Sequence, residues 1–135
     1  MSAAGSIEER LGAALRERRE GILAAYLFGS EARAEAGPGS DVDVAVLYAE
    51  APPAALDSPP RRLERELERL LGRTVEVVAL NTAPPDLVHR VLRDGRLLLE
   101  EDRSARIRFE VRARNEYFDL EPLRRLYRRR ERAAS

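Results

Sequence analysis

Apolar residues first return at helical intervals and then collect into unbroken runs. Ile7, Leu11, Ala14 and Leu15 recur three and four apart behind Ser6, and Glu9, three residues beyond that serine, completes a capping-box signature. Gly21 offers a stop, so the spacing predicts a first helix over about 7–20. Ile22 to Phe28 is continuously apolar and closed by Gly29-Ser30. That fits a strand buried on both faces better than a helix too short to stand alone. Helix formers from Glu31 to Glu35 predict a short helix, ended by the Gly37-Pro38-Gly39-Ser40 turn. Asp41 to Tyr48 alternates and then becomes apolar, a second strand.

Proline-rich stretches at 51–53 and 57–60 frame a loop, after which Leu63, Leu67, Leu70 and Leu71 mark one face of a helix capped by Ser58 and closed by Gly72. Arg73 to Leu80 reads as a third strand. Pro84-Pro85 opens a helix carrying Leu87, Val88, Val91 and Leu92 as far as Asp94-Gly95, and Leu97 to Leu99 adds a short strand. Beyond Arg103, Ile107, Val111 and Phe118 fall at helical intervals until Pro122 interrupts them. One or two terminal helices are expected there, with Tyr117, Phe118 and Tyr127 packing them onto the sheet. The order predicts an α/β (α+β) fold, a mixed sheet of three or four strands flanked by helices. It is read as one domain over 1–135, with a core of about 7–100 and a helical extension of about 101–135.

Composition narrows the function. The chain of 135 residues carries 24 basic and 24 acidic residues, every cation is arginine, and there is no cysteine. Disulfide scaffolds and zinc ribbons are excluded, as are P-loop and Schiff-base lysine mechanisms. Zero net charge argues against holding nucleic acid by bulk electrostatics, so any nucleotide site must be local. The longest apolar run is far too short to span a bilayer, and a cytoplasmic location is expected. His89, the single histidine, cannot build a histidine metal site and is read as structural or surface. The run Arg124-Arg125 and Arg128-Arg129-Arg130 reads first as a solvated tail, and otherwise as a face for an acidic partner or RNA.

Three features carry candidate chemistry. Gly29-Ser30 stands where a strand gives way to a short helix, which suits close backbone approach to a phosphate, although an isolated pair is more commonly an ordinary tight turn. Asp41 and Asp43 flank Val42, and on a strand both carboxylates face one side, ~6–7 Å apart. They suit a shared hard cation, or else are solvated residues ahead of the strand. Glu76 is an acid centred in Thr74-Val75-Glu76-Val77-Val78, on the face opposite Val75 and Val77, and it offers a third oxygen donor or an outward charge on an edge strand.

Taken together, Gly29-Ser30, Asp41-Val42-Asp43 and Glu76 resemble the signature of the DNA-polymerase-β-like nucleotidyltransferase superfamily. More narrowly, Gly29 to Arg33, Ser40 to Asp43, Val75 to Asn81 and Pro84-Pro85 resemble minimal nucleotidyltransferases of the MntA antitoxin type. The resemblance implies ATP as substrate, Gly29 and Ser30 against its phosphates with Arg33 nearby, and Mg²⁺, two ions in all, on Asp41, Asp43 and Glu76. It also implies transfer of AMP to a tyrosine of a HEPN-domain ribonuclease toxin, HepT, encoded alongside, and a hetero-oligomer with it. Glu76 would ligate metal and could receive the tyrosine proton. Two positions depart from the pattern: the third acid is usually aspartate and here is Glu76, and Ala34 replaces a common glycine. A small-molecule acceptor, of the aminoglycoside kind, and a non-catalytic binding module are the alternatives.

Overall fold

A computed structural model describes residues 6–29, 31–32 and 40–134, the last two by backbone alone. Strands β1 (Ile22–Phe28), β2 (Val42–Tyr48), β3 (Val75–Ala79) and β4 (Arg96–Glu100) form one sheet in the order β3-β2-β1-β4. β1 is antiparallel to β2 and β4, whereas β3 runs parallel to β2, so the sheet is mixed as the pattern implied. Helices α1 (Ile7–Arg16) and α2 (Pro59–Leu71) pack on one face, and α3 (Pro85–Asp94) and α4 (Arg103–Asp119) on the other. A last helix, α5 (Glu121–Ala134), rests on α4. None of the described helices is long and apolar enough to cross a membrane.

The two-sided cover explains the unbroken apolar runs in β1 and β2. Leu11, Leu15, Leu27, Val44, Val46 and Leu67 fill the α1/α2 side, while Ala24, Tyr26, Ala45, Leu47, Val88 and Val91 fill the other. Ile22 pairs with Tyr48 and Ala24 with Leu47, which leaves Leu23 as an extra residue. This bulge turns Ile22 into the α1/α2 core while Leu23 and Ala24 face the opposite side.

Local signals account for most element ends. Ser6 Oγ accepts from the Glu9 amide at 3.1 Å, which caps α1 as predicted. α1 stops at Arg16 rather than near residue 20, because Glu17 to Glu20 supply no apolar residue for its inner face. Gly72, at φ 66°, closes α2. Ser58 stands at the α2 N-cap without a side-chain capping bond, and Leu70 is half exposed, so the inner face is Leu63, Leu67 and Leu71. As the outermost strand, β3 has its free edge claimed by α2: the Val75 and Val77 amides donate to Glu68 (3.1 Å) and Glu64 (2.8 Å), and the Val77 carbonyl accepts from Arg61 at 2.5 Å.

The C-terminal part is two helices, with Pro122 in the first turn of α5, where its missing N–H removes no helical bond. Its aromatic residues do not pack as expected. Phe118 is 65% and Tyr127 58% exposed, and Tyr117 stacks on His89 of α3 (3.7 Å between ring centres) instead of on the sheet. Phe109 and Ala113 are what α4 lays on the sheet, and the Tyr26 hydroxyl donates to Glu110 at 2.8 Å. Arg106 holds Glu110 (2.5 Å) and Glu100 (2.6 Å) in turn. Burial, reinforced by Glu110, pushes the Tyr26 phenol well above its ordinary range.

Tyr48 differs from Tyr26. Its side chain is buried, its hydroxyl has no hydrogen-bond partner among the described residues, and burial pushes its pKa up to about 12. Tyr48→Phe removes an unsatisfied polar atom, so it is expected to raise stability by about 1 kcal/mol in denaturant titrations. The folded state holds the neutral phenol while the unfolded chain ionises from about pH 10. Stability is therefore lost as pH climbs from about 10 to 12, and the advantage of Tyr48→Phe should widen over that window. No gain at neutral pH and no widening would show that the hydroxyl finds a partner in solution.

Candidate active site

β1 ends at Gly29 with φ 73°, a conformation that favours glycine. The β1–β2 register sets Phe28 opposite Asp43, and a Cβ placed on Gly29 would lie 2.3 Å from Asp43 Oδ2. Backbone therefore meets carboxylate directly at this end of the sheet, and a side chain at this position would force the carboxylate to move. Asp43 is half-buried.

The parallel β2–β3 register sets Glu76 opposite Asp43, so the two side chains leave the same face from strands about 4.8 Å apart. Ala45 and Leu47, alternate residues along β2, assign that face to the α3/α4 side. Asp41 precedes the first strand residue by one position, is exposed, and shares the parity of Asp43. The start of β2 is fixed beside β3 by the Val42 amide, which donates to the Thr74 carbonyl at 2.9 Å. The sheet thus aligns all three acids without converging them: among the described residues no group of three such side chains lies close enough to share a metal ion. Glu76 projects from the outermost strand into solvent.

Ser30, Arg33 and Ala34 lie outside the described residues, as do most of the expected short helix and its Gly37-Pro38-Gly39 turn. The residues that border this segment are fixed by a side chain that pattern reading passed over. Arg73, just ahead of β3, pairs with the Glu31 carboxylate at 2.5 Å and donates to the Ser40 carbonyl at 2.5 Å. One guanidinium thereby ties the residue after Ser30 to the residue before Asp41. Nothing marks it in the sequence, where it is one of 24 arginines. Arg73→Ala strands the largely buried Glu31 carboxylate and is expected to lower stability by about 2 kcal/mol. Arg73→Lys should recover much of that loss in thermal melts, because both acceptors lie on one guanidinium nitrogen, Nη2, whose place a single ammonium can take. Equal melting of all three proteins would remove Arg73 from this role.

Left-handed backbone at Gly29, an adjoining carboxylate and two further acids of the same parity make a site suited to a phosphorylated, cation-bound ligand. The family described as Polymerase beta, Nucleotidyltransferase is matched by residues 10–104. The Methanocaldococcus jannaschii protein named "Putative protein adenylyltransferase" is 38% identical over 77 residues, which cover 57% of this chain and 80% of that protein. A toxin-antitoxin crystal structure with AMP-PNP superposes with a TM-score of 0.77 at 25% identity, over 90% of this chain and 95% of that one. A structure of tri-AMPylated Shewanella oneidensis HEPN toxin in complex with MNT antitoxin superposes with a TM-score of 0.70 at 25% identity, over 89% and 91%. With the matched segment taking in β1, β2, β3 and the acids they align, the chain belongs to the Polymerase beta nucleotidyltransferase family.

Proposed function

We propose that this chain transfers AMP from ATP to a tyrosine hydroxyl of a HEPN-domain toxin in the cytoplasm, and so acts as its antitoxin. The observation that carries the reading is the register that sets Asp43 opposite Glu76 and against Gly29 on a single face. The adenylyltransferase name of the M. jannaschii relative, the AMP-PNP of one structural neighbour and the AMPylated toxin of another support the choice of nucleotide and acceptor.

The donor set fits Mg²⁺ in kind, since it consists of carboxylate oxygens at the rigid start of a core strand, with Asp43 Oδ2 fixed against a glycine that has no side chain to displace it. Asp41, Asp43 and Glu76 would hold the ions, which supply charge neutralisation for the triphosphate. Gly29 lets backbone approach the phosphates, and Ser30 and Arg33 are the adjoining candidates for phosphate contact. The tyrosine oxygen attacks the α-phosphorus, the bond to pyrophosphate breaks, and Glu76, which is exposed, would take the phenolic proton. A small hydroxylated acceptor is the weaker reading, because the adenylyltransferase name of the M. jannaschii relative and the AMPylated toxin of a structural neighbour both favour a protein acceptor.

Incubation with α-labelled ATP, Mg²⁺ and the HEPN-domain protein of the adjacent reading frame should label that protein. Label undiminished after both Asp41→Ala and Asp43→Ala would refute the mechanism.

A further inference from the structure

Among the described residues, seven of the ten exposed large apolar side chains lie in or between α4 and α5. Ile107, Val111 and Phe118 fall at helical spacing along α4, and Leu123, Leu126 and Tyr127 continue the surface on α5. α4 already buries Phe109 and Ala113 on the sheet, so it is apolar on two sides and only one is covered. A helix of that kind needs a second surface to bury.

We propose that the outward face of α4 and α5 is the docking surface for the protein partner, and that the partner meets it with an acidic surface carrying an apolar ridge. The identity of that partner rests on the function proposed above. Charge selects the chemistry. α5 holds six arginines against two glutamates, whereas acids outnumber arginines in the rest of the chain. Arg108 and Arg112, exposed on the flank of α4 beside the cavity that Phe109 and Ala113 also line, and Arg129 and Arg130 on α5, form no ion pair with any described carboxylate. A second copy would set these like charges against each other across a twofold axis. Phosphodiester backbone would pair with the arginines but leave the apolar row uncovered.

Two further features make the face ready for use. Arg124 of α5 lies over the Tyr117 ring at 3.7 Å, donates to the Tyr117 carbonyl and pairs with Glu121 and, at 3.5 Å, with Asp86 of α3. With Tyr117 stacked on His89, this joins α3, α4 and α5 and sets the direction of α5 before any partner arrives. In addition, α4 packs on the sheet face that also bears Asp43 and Glu76, toward the Leu23 and Leu47 end of β1 and β2, so a partner seated on α4 approaches the same side of the sheet as the acids.

The test compares wild type, Phe118→Glu, Arg108→Glu/Arg112→Glu and Asp43→Asn for calorimetric binding to the HEPN-domain protein of the adjacent reading frame, and for its labelling with α-labelled ATP. Circular dichroism melts verify that each variant is folded, and ATP binding verifies that the two surface variants keep the nucleotide site. The expected result is that the two surface variants weaken partner binding by roughly thirtyfold or more with ATP binding unchanged, while Asp43→Asn binds the partner normally and fails to label it. Surface variants that bind and label like wild type would overturn the docking surface and leave the transferase reading standing. Surface-dependent binding without labelling by wild type would uphold the surface and remove the transferase reading. No binding by wild type would overturn both. Monomerisation of a wild-type dimer by Phe118→Glu, with partner binding intact, would assign the face to a second copy and also overturn the proposal.

Discussion

Asp43→Asn is expected to lower AMP transfer by about a thousandfold or more and to leave the fold intact. The substitution keeps the shape of the side chain, so the contact with Gly29 and the β1–β2 register survive. What it removes is one negative charge at the junction of β1, β2 and β3, on the face shared with Glu76. A carboxamide is a poor ligand for a hard cation and does little to hold one beside a triphosphate. Label transfer measured on initial rates, with thermal melts in parallel, separates the two effects. Activity above a tenth of wild type would show that Asp43 does not carry the chemistry.

The second large effect is expected at Gly29. Gly29→Ala forces a left-handed backbone on a residue with a Cβ and brings that carbon to 2.3 Å from Asp43 Oδ2, so the carboxylate must move. A stability loss of about 2 kcal/mol is expected, together with about a hundredfold loss of transfer, because displaced reacting groups lose rate steeply. Gly21 and Gly72 also have positive φ but face open space, so alanine there should lower stability by only about 1 kcal/mol and spare activity. A double-mutant cycle isolates the clash: Asp43→Ala should recover part of the stability lost in Gly29→Ala, and strictly additive effects would show that the two residues do not touch.

Much of this site was legible beforehand. Continuous apolar runs marked β1 and the later part of β2 because helices cover both of their faces, and Glu76 stood out as a charge in the middle of an otherwise apolar strand. The strand reading fixed the parity of Asp41 and Asp43, and the family resemblance placed Glu76 with them. The register that sets Glu76 opposite Asp43 was not readable, since a parallel pairing depends on how the α2 crossover packs. The Leu23 bulge escaped for a related reason, as an apolar run has no polar residue to reveal a change of face. Arg73 escaped because its two acceptors, Glu31 and the Ser40 carbonyl, are distant in sequence. Phe118 and Tyr127 were misplaced because helical spacing reveals an apolar stripe but not which surface covers it.

The outer margin of β3 has a consequence for assembly. With Glu64, Glu68 and Arg61 occupying its outward amides and carbonyl, an extended peptide finds nothing there to zip onto. Recruitment by strand addition and fibril templating are both closed off at that margin. Truncating the two glutamates would turn the same strand into an adhesive seam, and a tendency to form cross-β aggregates would follow even if the fold survived.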